Sequence, residues 1–250
     1  MNRLRTARPD AGFSLTELMV SMFITSLVIV TTVALTITFQ RTNAQNFSRQ
    51  EQIDTGRAAV EAMSRSVRTA IKPAQLATNC SGCTDDAFLA GSGTSMRFYG
   101  NLDNSGNLVG PTRVTYTLVT SGAEAGQLIE EKQVPDSPVP GATGYTYCNA
   151  KAAGASAACK SRLTTRPVAF GVVNDAGTPI FRYFDQTGAE LVPPVGGSLS
   201  VAELARVLAV EMLVTVQADN PIKAPPTTYI QRVLLPNAQA VIRLEEETTP

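Results

Sequence analysis

The segment Phe13–Phe39 is an apolar run with a single charged side chain, Glu17, at its fifth position. About 20 apolar residues suffice to cross a bilayer as a helix, so whatever fold the chain adopts must accommodate a membrane-length helix near its start. A charged side chain in such a segment costs about 2.5–3.5 kcal/mol at mid-membrane and less near an end. Glu17 therefore calls for a partner. A cut after Gly12 would create one: the new ammonium of Phe13 would lie one helical turn away, in the same subunit or a neighbour. Arg3, Arg5 and Arg8 precede the run, a bias that holds the N-terminus in the cytoplasm and carries the remainder across.

The helical pattern continues past the apolar run. Between Phe13 and Thr55 there is neither glycine nor proline, and Gly56 is the sole interruption before Pro73. An unbroken helix to about Ala70 would be roughly 85–90 Å long. The competing reading is two helices with a break near Gln40–Asn46. Ile53, Val60, Met63, Val67 and Ile71 recur at helical spacing and form one apolar stripe, while Arg57, Glu61 and Arg65 lie four apart on another face, positioned for i,i+4 pairing. Thr31, Thr32, Thr36 and Thr38 lower helix propensity slightly and can bond back to a carbonyl one turn earlier.

Composition narrows the function classes. The chain has no histidine, which removes the Ser-His-Asp and Cys-His arrangements, His-ligated zinc and the commonest neutral-pH general base. No nucleophile–base pair stands out, so the reading is not an enzyme, with no cofactor. Of 21 basic and 21 acidic residues, the first twelve hold Arg3, Arg5, Arg8 and Asp10, leaving 18 against 20. That balance lacks the basic excess of a nucleic-acid binder.

A secretory signal would have an apolar core of only 7–15 residues and a small-x-small cleavage site after it, which Thr31–Gln40 does not offer. A plain membrane anchor leaves Glu17 unexplained. Gly12-Phe13-Ser14-Leu15-Thr16-Glu17-Leu18, followed by the apolar run, resembles the cleavage and methylation signature of type IV prepilins and type II secretion pseudopilins. The resemblance implies that a dedicated prepilin peptidase cuts between Gly12 and Phe13 and methylates the new Phe13 N-terminus. It also implies that Glu17 is an assembly contact, neutralising the Phe13 ammonium of a neighbouring subunit.

Beyond Pro73 the pattern turns to short strands: Ser95–Gly100, Thr112–Val119, Gln127–Gln133, Val168–Val173, Ile180–Asp185, Val207–Gln217 and Tyr229–Leu234. Leu208, Val210, Met212, Val214 and Val216 alternate most strongly, which predicts a central strand. Ser200-Val201-Ala202-Glu203 has capping-box spacing and predicts a helical turn before it. Thr55–Ala70, Met96–Leu118 (as a first hairpin), Phe181–Gly188, Val207–Val216 and Arg232–Asn237 resemble segments of J-type minor pseudopilins and W-type minor pilins.

Cys80, Cys83, Cys148 and Cys159 form an even set in an exported domain, which favours disulfides over metal. Pairing Cys80 with Cys83 and Cys148 with Cys159 is the simplest of three possible connectivities. Asp103–Asn107 is rich in oxygen atoms, and some pseudopilins bind calcium, but the segment lacks the acids of an EF-hand loop and reads as a turn. Gly141–Lys160, rich in alanine and glycine, reads as an exposed loop tied by the second cysteine pair.

The expected fold class is α+β: a long N-terminal helix, transmembrane then amphipathic, packed on an antiparallel β-sheet globular domain. The expected organisation is a leader at 1–12, an assembly helix at 13–39, an amphipathic helix at 40–72, a β-rich domain at 73–243 and a disordered tail at 244–250. The expected protein is a minor pilin or pseudopilin, a structural priming or tip subunit. Its expected partners are other pilins, prepilin peptidase, the inner-membrane assembly platform and the cytoplasmic membrane, with no nucleic acid. It would pass from the cytoplasmic membrane, N-terminus inside, into an extracellular or periplasmic filament. The alternative is a membrane-anchored binding module at a filament tip, for adhesion or DNA uptake.

Overall fold

A computed structural model describes residues 12, 14–77, 80, 82–174, 177–218 and 224–235. Residues 1–11 of the expected leader, Phe13, and residues 236–250 with the expected tail at 244–250 lie outside the described residues. The chain divides into two compact units, Met1–Phe47 and Ser48–Pro250.

One helix, α1, runs from Leu15 to Val67 with no break at Gln40–Asn46. In the first unit every described side chain except the half-buried Ala44 is exposed, and α1 contains the one described helix long and apolar enough to cross a membrane. In the second unit Val60, Met63, Val67 and Ile71 of the predicted apolar stripe are buried and Ile53 is half-buried, with Ala59 buried beside them. Gly56 also turns inward, where an added Cβ would lie 2.9 Å from Tyr229 Cδ2. On the outer face Arg57 and Glu61 pair at 2.8 Å. The helix ends at Val67; Ala70 then bridges to Gly100, and a short 3-10 turn follows at Pro73–Gln75.

The globular unit contains two antiparallel sheets, where a single sheet was expected. The first is a meander of β1 (Phe88–Gly91), β2 (Ser95–Gly100), β3 (Thr112–Leu118), β4 (Leu128–Gln133) and β5 (Leu163–Ala169), in that spatial order. Here Met96 and Phe98 of β2 and Val114, Tyr116 and Leu118 of β3 point into the core. Between β4 and β5 lies the helical turn α2 (Ala157–Lys160), capped by Ser156. The second sheet comprises β6 (Phe181–Phe184), β7 (Glu190–Leu191), β8 (Ala209–Val216) and β9 (Thr227–Leu234), ordered β7-β6-β8-β9. The strongly alternating strand is internal, as expected, with Val210, Met212 and Val214 fully buried. The turn α3 (Val201–Leu204) carries the expected Ser200–Glu203 capping box.

The expected strand Val168–Val173 straddles the seam between the sheets. Ala169 pairs with Leu128 in the first sheet, whereas Val172 bridges to Val216 in the second. Around it, Val173 N donates to Thr215 O and Gln217 N donates to Gly171 O, both within 2.9 Å. Tyr183, fully buried, closes the seam elsewhere: its hydroxyl donates to Ser92 O at 3.0 Å, and Gly91 leaves room for its ring, since a Cβ there would lie 2.8 Å from Cζ. Apolar side chains from α1 and both sheets form one core cluster.

Candidate functional site

Two regions carry chemistry that the fold does not itself require. The first is the start of α1. Ser14 stands at its N-cap: Ser14 O accepts the first helical bond from Leu18 N at 3.1 Å, and Ser14 Oγ accepts from Glu17 N at 3.2 Å. The Ser14-x-x-Glu17 spacing thus places the carboxylate in the first helical turn, where unpaired amides and the helix dipole favour negative charge. Glu17 is exposed, as is Gly12.

Downstream, hydroxyl groups are turned back onto the helix. Ser21 donates to Leu18 O, Thr25 to Ser21 O, Ser26 to Phe23 O, Thr32 to Val28 O and Thr36 to Thr32 O, at 2.7–2.9 Å. Thr31, Thr38 and Thr42 do the same at up to 3.0 Å. The apolar segment therefore presents its surroundings with methyl and methylene groups, its hydroxyls already satisfied.

In the globular unit, polar bonds fasten the second half of α1. Gln52, 1 % exposed, donates to Pro225 O (2.9 Å) and Thr227 Oγ1 (3.0 Å) and accepts from Ala218 N (3.1 Å) in the amide orientation that satisfies both ends. Further along, Ser66 Oγ donates to Glu130 Oε1 at 3.4 Å. Glu130 also accepts from Tyr116 Oη and Arg166 Nε and lies 3.3 Å from Lys132 Nζ. Burial pushes the Glu130 carboxyl up, but the bonds from Arg166 and Tyr116 and the Lys132 charge outweigh it, and the net displacement is below the ordinary value. Tyr116 is displaced upward, chiefly by its own burial and then by the Glu130 charge. Local sequence pattern does not single out Glu130, although it shares strand parity with the core residue Leu128.

The second region is the outer face of the first sheet. Cross-strand register aligns Arg97, Thr115 and Glu131 in one row and Tyr99, Arg113 and Gln133 in the next. Tyr147, from the loop before α2, closes over them: its hydroxyl donates to Pro111 O, and its ring stacks on Tyr99 at 5.8 Å and lies under the Arg113 guanidinium at 4.7 Å. The result is a groove of about 300 Å³ lined by Arg97, Arg113, Thr115, Glu131, Gln133 and Lys151 among others. The disulfide Cys148–Cys159, with Cα atoms 6.0 Å apart, ties the loop that carries Tyr147; Cys80–Cys83 closes the other short loop at 5.3 Å. Among the described residues no cysteine is free and no cluster of three or more His, Cys, Asp or Glu residues assembles. At Asp103–Asn107 the chain makes a 3-10 turn whose organiser is Asn104, its Oδ1 accepting from the amides of Val109 (2.8 Å) and Gly110 (3.2 Å).

With this geometry in view, comparison with known families shows that residues 7–37 fit the family model for the prokaryotic N-terminal methylation motif. The chain carries the prepilin-type signature, and the match covers Gly12, Phe13 and Glu17 together with most of the apolar run. Comparison with curated proteins and with solved structures gives no match. The signature supports the type IV pilin and pseudopilin family, implies processing by prepilin peptidase and assembly with other pilins, and points to a structural subunit. Together with the exposed apolar helix it fits membrane anchoring.

Proposed function

We propose that the chain is a minor pilin or pseudopilin, cut between Gly12 and Phe13, methylated on Phe13, and built into a type IV pilus or type II secretion-like filament as a priming or tip subunit. The observation that carries this is the prepilin-type motif lying across the start of α1, with Glu17 in the first helical turn. In this reading the precursor waits in the cytoplasmic membrane, N-terminus inside, and the assembly platform lifts it out as α1 packs against other subunits. Glu17 then meets the Phe13 ammonium of a neighbour in a low-dielectric bundle, where an unmatched carboxylate is costly and a matched one sets the axial stagger. The reading takes the chain to be most like the J-type and W-type minor classes, on the segments named in the sequence.

Two measurements test the reading. N-terminal sequencing of the mature protein is expected to begin at methylated Phe13; an intact Met1, or a cut after residue 35, would refute it. Glu17→Ala is expected to be made and inserted normally yet fail to enter or prime filaments, and normal filaments in that variant would remove the assigned role. A second reading, a binding module displayed at a filament tip, is favoured by one feature: the basic and aromatic groove formed by Arg97, Arg113 and Tyr147.

A further inference from the structure

The groove beneath Tyr147 is charged in an unusual way. Arg97 makes one side-chain hydrogen bond, Nε to Thr115 Oγ1 at 3.2 Å, and Arg113 makes one, Nη2 to Gln133 Oε1. Among the described residues neither guanidinium has a carboxylate within ion-pair distance, and the acid nearest to hand in the groove, Glu131, is taken by Lys151. Both terminal nitrogens of Arg97, and Nε and Nη1 of Arg113, therefore have no protein acceptor. Arg113 is half-buried and is pushed below its usual range by desolvation and then by the neighbouring Arg97 charge, opposed by Tyr147, Tyr99 and Asp136. Two like charges held together at the edge of a cavity, with donors unspent, are stabilised by an anion placed between them. The site is also rigid: its floor is three hydrogen-bonded strands with Thr115 and Gln133 buried, and its roof is a tyrosine anchored to Pro111 and backed by a disulfide.

We propose that this groove binds an oxyanion, a carboxylate or a phosphate-type group, between the guanidinium groups of Arg97 and Arg113, with Tyr147 as its wall. Planar donor forks suit such oxygens because they can present two parallel N–H bonds. The inference concerns the globular unit alone and stands whether or not the chain enters a filament.

The test is calorimetric titration of the full chain in mild detergent with sodium phosphate and, separately, sodium acetate, at constant ionic strength so that screening does not change. Saturable one-site binding of at least one anion is expected. A phosphate-only response identifies a phosphate-type ligand, and an acetate response identifies a carboxylate. Arg97→Gln, at an exposed position, should weaken binding about tenfold or more, the loss of a charge-assisted bond. Arg113→Gln should do the same, with near-UV circular dichroism confirming the fold. Glu17→Ala should leave it unchanged, which separates this site from the assembly reading. Absence of saturable binding to either anion, or wild-type binding by Arg97→Gln, overturns the proposal.

Discussion

Replacing Glu130 probes how the second half of α1 is held to the first sheet. The carboxylate is 1 % exposed, whereas Arg166 is about half exposed and Lys132 about one-third. Once the charge is gone both cations can turn to water, so their pairing contributes little to the difference. The buried partners decide the magnitude. Glu130→Gln keeps an acceptor for the Tyr116 hydroxyl but loses the charge-assisted character of its bonds, an expected loss of about 1.5–3 kcal/mol. Glu130→Ala strands the Tyr116 and Ser66 hydroxyls and opens a cavity, so about 3–5 kcal/mol is expected. The pH dependence has a definite sign. Because the folded Glu130 titrates below its usual 4.5, the unfolded chain binds the proton more readily, and the carboxylate's contribution is complete above that value. It is lost as pH falls through the folded value. The assay is urea unfolding of the full chain in mild detergent; the chain has no tryptophan, so near-UV circular dichroism of the buried tyrosines serves as the signal. The gap between wild type and Glu130→Gln should be present at neutral pH and narrow as acid takes the pH below the ordinary glutamate value. A gap under about 0.5 kcal/mol at neutral pH, or one that ignores acid, refutes the reasoning.

Two further outcomes follow from the same geometry. Replacing Cys148 and Cys159 together by serine should cost about 2–3 kcal/mol by loop-closure entropy, and replacing Cys80 and Cys83 about 1.5 kcal/mol because that loop is shorter; urea midpoints check the order, and equal losses contradict it. Gly56→Val forces a side chain onto the Tyr229 ring and should destabilise the globular unit by about 1–3 kcal/mol, read from the same transition, even though valine suits a helix no worse than glycine.

Where the chain's own spacing carries the information, the fold was legible. The helix, β2, β3, β4, β6, β8 and β9 stand within a few residues of the expected segments, and α3 has its capping box. β1 and β7 are too short to show a period, and β7 is only Glu190–Leu191. β5 is an edge strand with Thr164, Thr165, Arg166 and Pro167 exposed, so no core face marks it, and proline is tolerated there because one side of the strand has no ladder to feed. Met96–Leu118 is a hairpin, though β1 makes it the second one. The division into two sheets was hidden because Val168–Val173 reads as one continuous apolar run while its bonding changes sheet midway. The signature at Gly12–Glu17 was readable since its residues are contiguous. Glu130 with Arg166, and Arg97 with Arg113, were not: each pairing depends on register across strands and on a loop folding back, and neither leaves a mark in local sequence.

The inward-turned hydroxyls of α1 bear on how such a helix could change surroundings. A serine or threonine that bonded to a lipid headgroup, or to a neighbouring helix, would have to surrender that bond whenever its environment was exchanged. Here each donor brings its acceptor along, four residues or fewer behind it. Moving the segment from hydrocarbon to a protein bundle then breaks no hydrogen bond made by these side chains, and the two environments differ for them only in packing. Under the proposed assembly the electrostatic cost of the exchange is thereby concentrated at one place, Glu17, the single charged side chain of the run.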